Sequence, residues 1–238
     1  MVEGPSIRPF TFDTGNNFHI IPYKPEETKK PISITELRKT DKKLALYFIS
    51  NKDLINEQSE KSKAMHQGKE FYALSKIGPY TFAPHIVAAR DNSRFYACVV
   101  HPVATPWGET KQAICVKHTI IISQDKHGRL ISEDEAHYIC GILNSDIVRA
   151  YIHATFKTNG FSLNKSHLYL PRYDASNPLH GRISRLARYA SLPETVSKRA
   201  KITSLLSVLY LRMCTLYRQA TTNDPSPRQG ELFQSSTP

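Results

Sequence analysis

Glycine is scarce in this chain, 10 of 238 residues, and no two glycines form a G-x-G cluster. A loop that admits a dinucleotide or cradles a nucleotide phosphate needs closely spaced glycines, because only glycine lets the backbone turn tightly and approach the ligand. Nucleotide chemistry of the Rossmann or P-loop kind is therefore excluded. Cysteine is scarcer still: Cys98, Cys115, Cys140 and Cys214 lie far apart and form no C-x-x-C pair. A zinc ribbon or a dithiol redox motif is excluded, and the cysteines read as buried free thiols, three of them in apolar runs. The ten histidines form no H-E-x-x-H motif and no tight Cys/His cluster, so no metal site is expected. No run approaches the roughly 20 apolar residues of a membrane span. Residues 1–5 lack the apolar core of a signal peptide, and a cytoplasmic protein is expected.

Positive charge is in excess. Lys and Arg number 32 against 21 Asp and Glu, a net charge of +11 that favours a polyanionic partner. Its distribution matters more than its sum, since several phosphates must be reached at once. Residues 1–70 carry 12 basic and 10 acidic side chains, 71–131 carry 7 and 3, 132–171 carry 3 and 4, and 172–238 carry 10 and 4. Two cationic blocks thus flank a balanced central segment.

The patterning predicts an α+β fold: a mixed, β-rich platform with flanking helices and a C-terminal helical segment. Residues 1–35, interrupted by Pro22, Pro25 and Pro31, read as extended, with a possible short strand at 18–22. Helical spacing of Leu37, Leu44, Tyr47, Phe48 and Leu54 predicts one helix, capped by Thr35 and ending near Lys61. Aromatic and β-branched runs predict strands at 71–77, 80–82, 86–89, 95–100 and 114–122, with 101–111 as the longest connection. Ser132-Glu133-Asp134-Glu135 is a capping box that starts a helix, and Asn144-Ser145-Asp146 offers a second cap, so two helices in series are as plausible as one. A strand is predicted at 166–170. Asn177-Pro178 opens a helix to about Ser191, and Leu192-Pro193-Glu194 opens another carrying Ile202, Leu205, Leu206, Leu209 and Met213. The domain reading is an extended segment 1–35, an α+β domain 36–175, C-terminal helices 176–220 packed on it, and a Pro/Ser/Thr/Gln-rich tail 221–238 expected to be disordered.

Three sequence blocks carry a resemblance. The first is Lys69-Glu70-Phe71-Tyr72-Ala73-Leu74-Ser75-Lys76-Ile77-Gly78-Pro79-Tyr80-Thr81-Phe82-Ala83-Pro84, followed by Val87 through Asp91-Asn92. The second is Glu135-Ala136-His137-Tyr138-Ile139-Cys140-Gly141-Ile142-Leu143-Asn144-Ser145, and the third is Leu168-Tyr169-Leu170-Pro171-Arg172-Tyr173-Asp174, then His180 and the helix 183–190. In this order, over roughly residues 44–190, they resemble the target-recognition region of type IIG restriction-modification enzymes and related adenine-specific DNA methyltransferases. The resemblance implies a module that grips double-stranded DNA beside a methyltransferase or restriction catalytic domain, which normally precedes it in the same polypeptide. That catalytic part would bind S-adenosylmethionine and carry an Asn-Pro-Pro-Tyr-type tetrapeptide, and neither the cofactor's glycine-rich turn nor the tetrapeptide occurs here. No catalytic residue and no cofactor are expected in this chain, with S-adenosylmethionine placed in the missing domain or a partner subunit.

The same blocks also have a structural reading. Phe71, Leu74, Ile77, Tyr80 and Phe82 suit a sheet core, Gly78-Pro79 a turn, and Leu143-Asn144-Ser145 a helix stop. Candidate DNA contacts are instead polar and cationic residues in turns beside the blocks, because loops on a rigid platform reach into grooves. These are Lys76, Arg90, Asn92 and Arg94 at two turns, and Lys157, Thr158, Asn159, Ser162, Asn164 and Lys165 around Gly160. On the helix 178–191, Arg182 and Arg185 recur with Arg188 at every third position and suit phosphate. The competing readings are a compact nuclease built on Asp91 with Glu109 or on Glu133 with Asp134, and a protein-interaction adaptor using the C-terminal helices.

Overall fold

A computed structural model of the chain describes residues 1–15, 17–57, 68–75, 77–90, 94–115, 119–156 and 168–223. Strands are β1 (Ile7–Arg8), β2 (Thr11–Phe12), β3 (Ile86–Arg90), β4 (Ala97–Val100), β5 (Pro102–Ala104), β6 (Thr110–Gln112) and β7 (Thr119–Ile122). Helices are α1 (Ile34–Thr40), α2 (Lys42–Ser50), α3 (Lys52–Asn56), α4 (Glu133–Asn144), α5 (Asp146–Thr155), α6 (Pro178–Ser191) and α7 (Arg199–Asn223). The fold is α+β, with three small antiparallel sheets among the described residues. Contacts group Met1–Asn16 with Ala83–Pro238 in one unit and Asn17–Phe82 in a second. The composition boundaries at 35/36 and 175/176 fall inside these units.

In the unit Asn17–Phe82 the single helix predicted from Ile34 is three. Ser33, not Thr35, caps α1 by accepting the Glu36 amide, and Asp41 ends α1 and caps α2 through the Leu44 amide. An aspartate that prefers the capping geometry thus breaks a continuous apolar period. Lys61 lies outside the described residues. Leu37, Ala45, Phe48 and Tyr72 form the core, with the Phe48 and Tyr72 rings stacked at 4.2 Å. Residues 71–75 are irregular rather than a strand, and the Tyr72 hydroxyl donates to the Ile32 carbonyl at 2.8 Å. Pro79–Phe82 is a 3-10 turn, closed by the Thr81 amide donating to the Gly78 carbonyl at 2.9 Å. Residues 18–22 form no strand.

The larger unit is built around α4. The sheet has the order β4-β3-β7, with Ala89 opposite both Ala97 and Ile120. Every residue of α4 from Glu135 to Asn144 is buried, because β3 and β4 cover one side and α6 and α7 the other. The Ser132 cap expected from sequence is formed, its hydroxyl accepting the Glu135 amide at 3.2 Å. Of the two arrangements left open by sequence, two helices in series occur: the helix breaks at Ser145, whose hydroxyl donates back to the Ile142 carbonyl at 2.7 Å. Asn177 caps α6 through the Leu179 amide, with Pro178 in its first turn. Beyond it, Pro193–Lys198 is a 3-10 segment and α7 follows.

Two residues fix α4. Asn144 lies where helix meets strand: its Oδ1 accepts the Ala97 amide at 3.1 Å and its Nδ2 donates to the Ala97 carbonyl at 2.7 Å. The same carbonyl accepts the amide of Phe10, which takes a left-handed φ of 66° in the reversal between β1 and β2. One carboxamide therefore pairs with strand β4 as a neighbouring strand would, and both lone pairs of the Ala97 carbonyl are used. Gly141 lets α6 approach, since a Cβ there would stand 2.9 Å from Ile183 Cγ2 and 3.1 Å from Ala187 Cβ.

Three further sequence expectations are corrected. Residues 101–111 are not a plain connection: β5 and β6 form a hairpin whose tip carries Trp107, 56% exposed. Residues 168–170 are irregular, with Leu168 and Leu170 buried as packing residues, and 166–167 lie outside the described residues. Of 114–122 only β7 is a strand, with 116–118 outside the described residues. The tail expected from 221 begins within α7, which runs to Asn223, and 224–238 lie outside the described residues.

Asn144→Ala would leave the buried Ala97 amide without its partner, and urea unfolding should show a loss of about 2–4 kcal/mol. Gly141→Ala should cost about 1–3 kcal/mol by forcing Ile183 and Ala187 away from α4. A stability within 0.5 kcal/mol of wild type, roughly the scale of a surface substitution, would contradict either assignment.

Candidate nucleic-acid interface

Most of the sequence-predicted contact residues fall outside the described residues: Lys76, Asn92, Lys157, Thr158, Asn159, Ser162, Asn164 and Lys165. Arg90, Arg94, Arg182 and Arg185 are described. Arg94 lines a groove of about 430 Å³ with Phe95, Tyr96, Asp146, Arg149, Ala150 and His153. One wall is the segment leading into β4. The other is the first two turns of α5, which follows the Ser145 break and buries Val148 and Ile152 on its opposite side. The Asn144 clamp on Ala97 therefore brings these two walls together, since Ala97 follows Tyr96 directly and Asn144 lies two residues before Asp146.

Arg149 lies over the Tyr96 ring, its guanidinium carbon 4.7 Å from the ring centroid. Its Nε is buried and has no hydrogen-bond partner among the described residues. Arg94 and His153 are exposed at the rim. Asp146, the one carboxylate among the described residues that line the groove, accepts the Ser204 hydroxyl at 2.8 Å and so engages α7. Arg90 does not line the groove, but its amide donates to the Tyr96 carbonyl at 2.9 Å, which makes it the cross-strand neighbour of the groove's aromatic wall. Its Nε too is buried without a partner among the described residues.

Arg182 and Arg185 are exposed on α6 and do not line this groove. Arg188 has a structural task, donating to Glu133 and Asp134 at 2.8 Å each and so tying α6 to the first turn of α4. The acidic pair weighed as a nuclease centre is held in that contact. Glu109, the other candidate, pairs with Lys111 at 2.8 Å in the hairpin, and Asp91 lies outside the described residues. No group of three His, Cys, Asp or Glu side chains suited to a metal ion occurs among the described residues. No helix among them is long and apolar enough to cross a membrane.

Sequence reasoning missed Tyr96, Arg149 and His153. Arg149 and His153 lie four apart on α5, one residue after the buried Val148 and Ile152 respectively, so they share a face beside its apolar stripe. That spacing was the available signal.

The most perturbed carboxylate belongs to the framework. Asp125 has a 2% exposed side chain and accepts the His127 and Arg129 amides and the Arg129 Nε, while Arg172 donates to its second oxygen. Burial opposes its ionisation, but these hydrogen bonds and the Arg172 charge outweigh it and hold the pKa at about 2. Arg172 also faces Glu135 at 3.6 Å, and the Tyr173 amide donates to that carboxylate at 3.3 Å. Burial nevertheless pushes the Glu135 pKa up. The second and third sequence blocks thus meet at Arg172. His137, inside α4, is drawn down to about 4, first by burial and then by the Arg188 charge, and is neutral at pH 7.

Because the folded pKa of Asp125 lies below its unfolded value near 4, its contribution is present above about pH 4 and disappears as pH falls towards 2. Glu135 has the opposite sign, its contribution being present at low pH and lost as pH rises through its elevated pKa. The melting-temperature difference between wild type and Asp125→Asn should therefore be large at pH 6 and shrink steadily below pH 4. A difference independent of pH would contradict the assignment.

Comparison with models of protein families, with curated proteins and with solved structures finds no match to this chain.

Proposed function

We propose that this chain is a sequence-specific recognition module for double-stranded DNA, lending target choice to a restriction or adenine-methylating catalytic part. The observation that supports it is the groove in which Arg94, Arg149 and His153 meet beside Tyr96, on a chain of net charge +11. Cations gathered around a concave surface attract a polyanion more strongly than the same charges dispersed, and an aromatic wall fixes their direction. Phosphate contacts would set the register on the duplex, while base edges would be read by amide and guanidinium groups of neighbouring turns. Arg90, Asn92, Arg94 and the polar stretch 157–165 are the candidates for that reading, with Arg182 and Arg185 as outlying phosphate contacts. Methyl transfer and S-adenosylmethionine belong, in this reading, to the catalytic partner.

Fluorescence anisotropy with labelled duplexes tests the proposal. Binding should be measurable at 50 mM salt and weaken at least tenfold by 200 mM, as counterion release requires for several phosphate contacts. Repeated selection from a random duplex pool should enrich a defined motif. Salt-independent binding, or recovery of the pool unchanged, would overturn sequence-specific recognition. The single tryptophan, Trp107, offers an independent probe of the β5–β6 hairpin through quenching by added duplex.

A further inference from the structure

The groove distinguishes two ways in which an arginine engages DNA. A guanine edge in the major groove is read by an extended guanidinium that projects from the protein and meets O6 and N7. Arg149 does not project. It is half-buried, lies over the Tyr96 ring, and its Nε is buried in the groove wall. The groove of about 430 Å³ has room for a phosphodiester beside α5. A guanidinium held over a ring can still offer its terminal Nη–H groups, which form paired hydrogen bonds with oxyanions.

The local charges agree. The Arg149 side chain has no ion pair or hydrogen bond among the described residues, although Asp146 stands one turn before it on the same helix. That carboxylate is turned to Ser204 and forms no ion pair with Arg149 among the described residues. Arg94 and His153 sit at the mouth, where they would meet a phosphate's outer oxygens or the next phosphate along a strand.

We propose that this groove is a phosphate site that takes one phosphodiester of a DNA strand, with Arg149 as the bidentate donor and Tyr96 as its positioning residue. The inference rests on the DNA-recognition reading for the source of the phosphate, and not for the phosphate chemistry itself. Arg149 then supplies affinity and register without sequence discrimination, which falls to the residues of the neighbouring turns.

The test compares wild type with Arg149→Ala, Arg149→Lys and Tyr96→Leu. Far-ultraviolet circular dichroism checks folding, and anisotropy with selected and unrelated duplexes is read from 50 to 200 mM salt. Arg149→Ala should weaken both duplexes by a similar factor, about tenfold, and lower the slope of log affinity against log salt by about one. Arg149→Lys should recover the slope but not all of the affinity, because a point charge replaces a planar fork. Tyr96→Leu should weaken binding severalfold with the slope unchanged. Loss confined to the selected duplex would overturn the phosphate role in favour of base reading, and wild-type behaviour of Arg149→Ala would overturn the site while leaving DNA recognition standing. If wild type binds no duplex, the functional reading fails, and inorganic phosphate becomes the probe of the site. A saturable shift of the Arg149 Nε–H nuclear magnetic resonance signal by millimolar phosphate, absent for chloride, supports the site, and no shift overturns it.

Discussion

The carboxamide of Asn144 is the contact on which the larger unit depends. A helix buried along ten consecutive residues, Glu135 to Asn144, has no solvent-exposed face to orient it, and apolar packing is tolerant of sliding and rotation. Hydrogen bonds are directional, and Asn144 makes complementary ones to both backbone groups of Ala97. The end of α4 is thereby locked to the start of β4, in a position where Phe10 reinforces the same carbonyl. Removing the side chain would strand a buried donor, which costs more than the net value of the bonds themselves.

From that lock the groove follows. The chain leaves α4 at Ser145 and starts α5 at once, so the face bearing Arg149 and His153 is delivered beside Tyr96, the residue next to the locked Ala97. Elsewhere on α4, Gly141 admits α6 and Arg188 binds the first turn through Glu133 and Asp134. Arg172 adds a third tie by joining Asp125 to Glu135. Residues of the second and third sequence blocks therefore build the framework, and the cationic surface is carried by residues between and beside them.

Legibility in the sequence was uneven for identifiable reasons. Caps at Ser132 and Asn177-Pro178 are readable because capping chemistry is local, whereas the Asn144-Ser145-Asp146 signal left one helix or two open and the structure has two. Strands β3 and β4 were readable from their apolar runs. Residues 71–82 were misread because aromatic density indicates burial without indicating conformation: Tyr72 is buried by stacking on Phe48 in a helical unit. The β5–β6 hairpin escaped because its exposed strands, with Pro102 and Pro106 nearby, show no alternation. Of the groove, Arg94 was named from its turn, but Tyr96 and Arg149 are brought together by the Asn144 contact across 47 residues, which no local pattern encodes.

The Asn144 lock shapes the cationic groove, whose proposed ligand is a DNA backbone. A crystal structure of the chain with its selected duplex tests that connection most directly. The account predicts a phosphate oxygen within hydrogen-bond distance of the Arg149 guanidinium, with the Tyr96 stack and the Asn144–Ala97 pairing retained. A duplex lying on another face, with the Arg149 groove empty of phosphate, would contradict it.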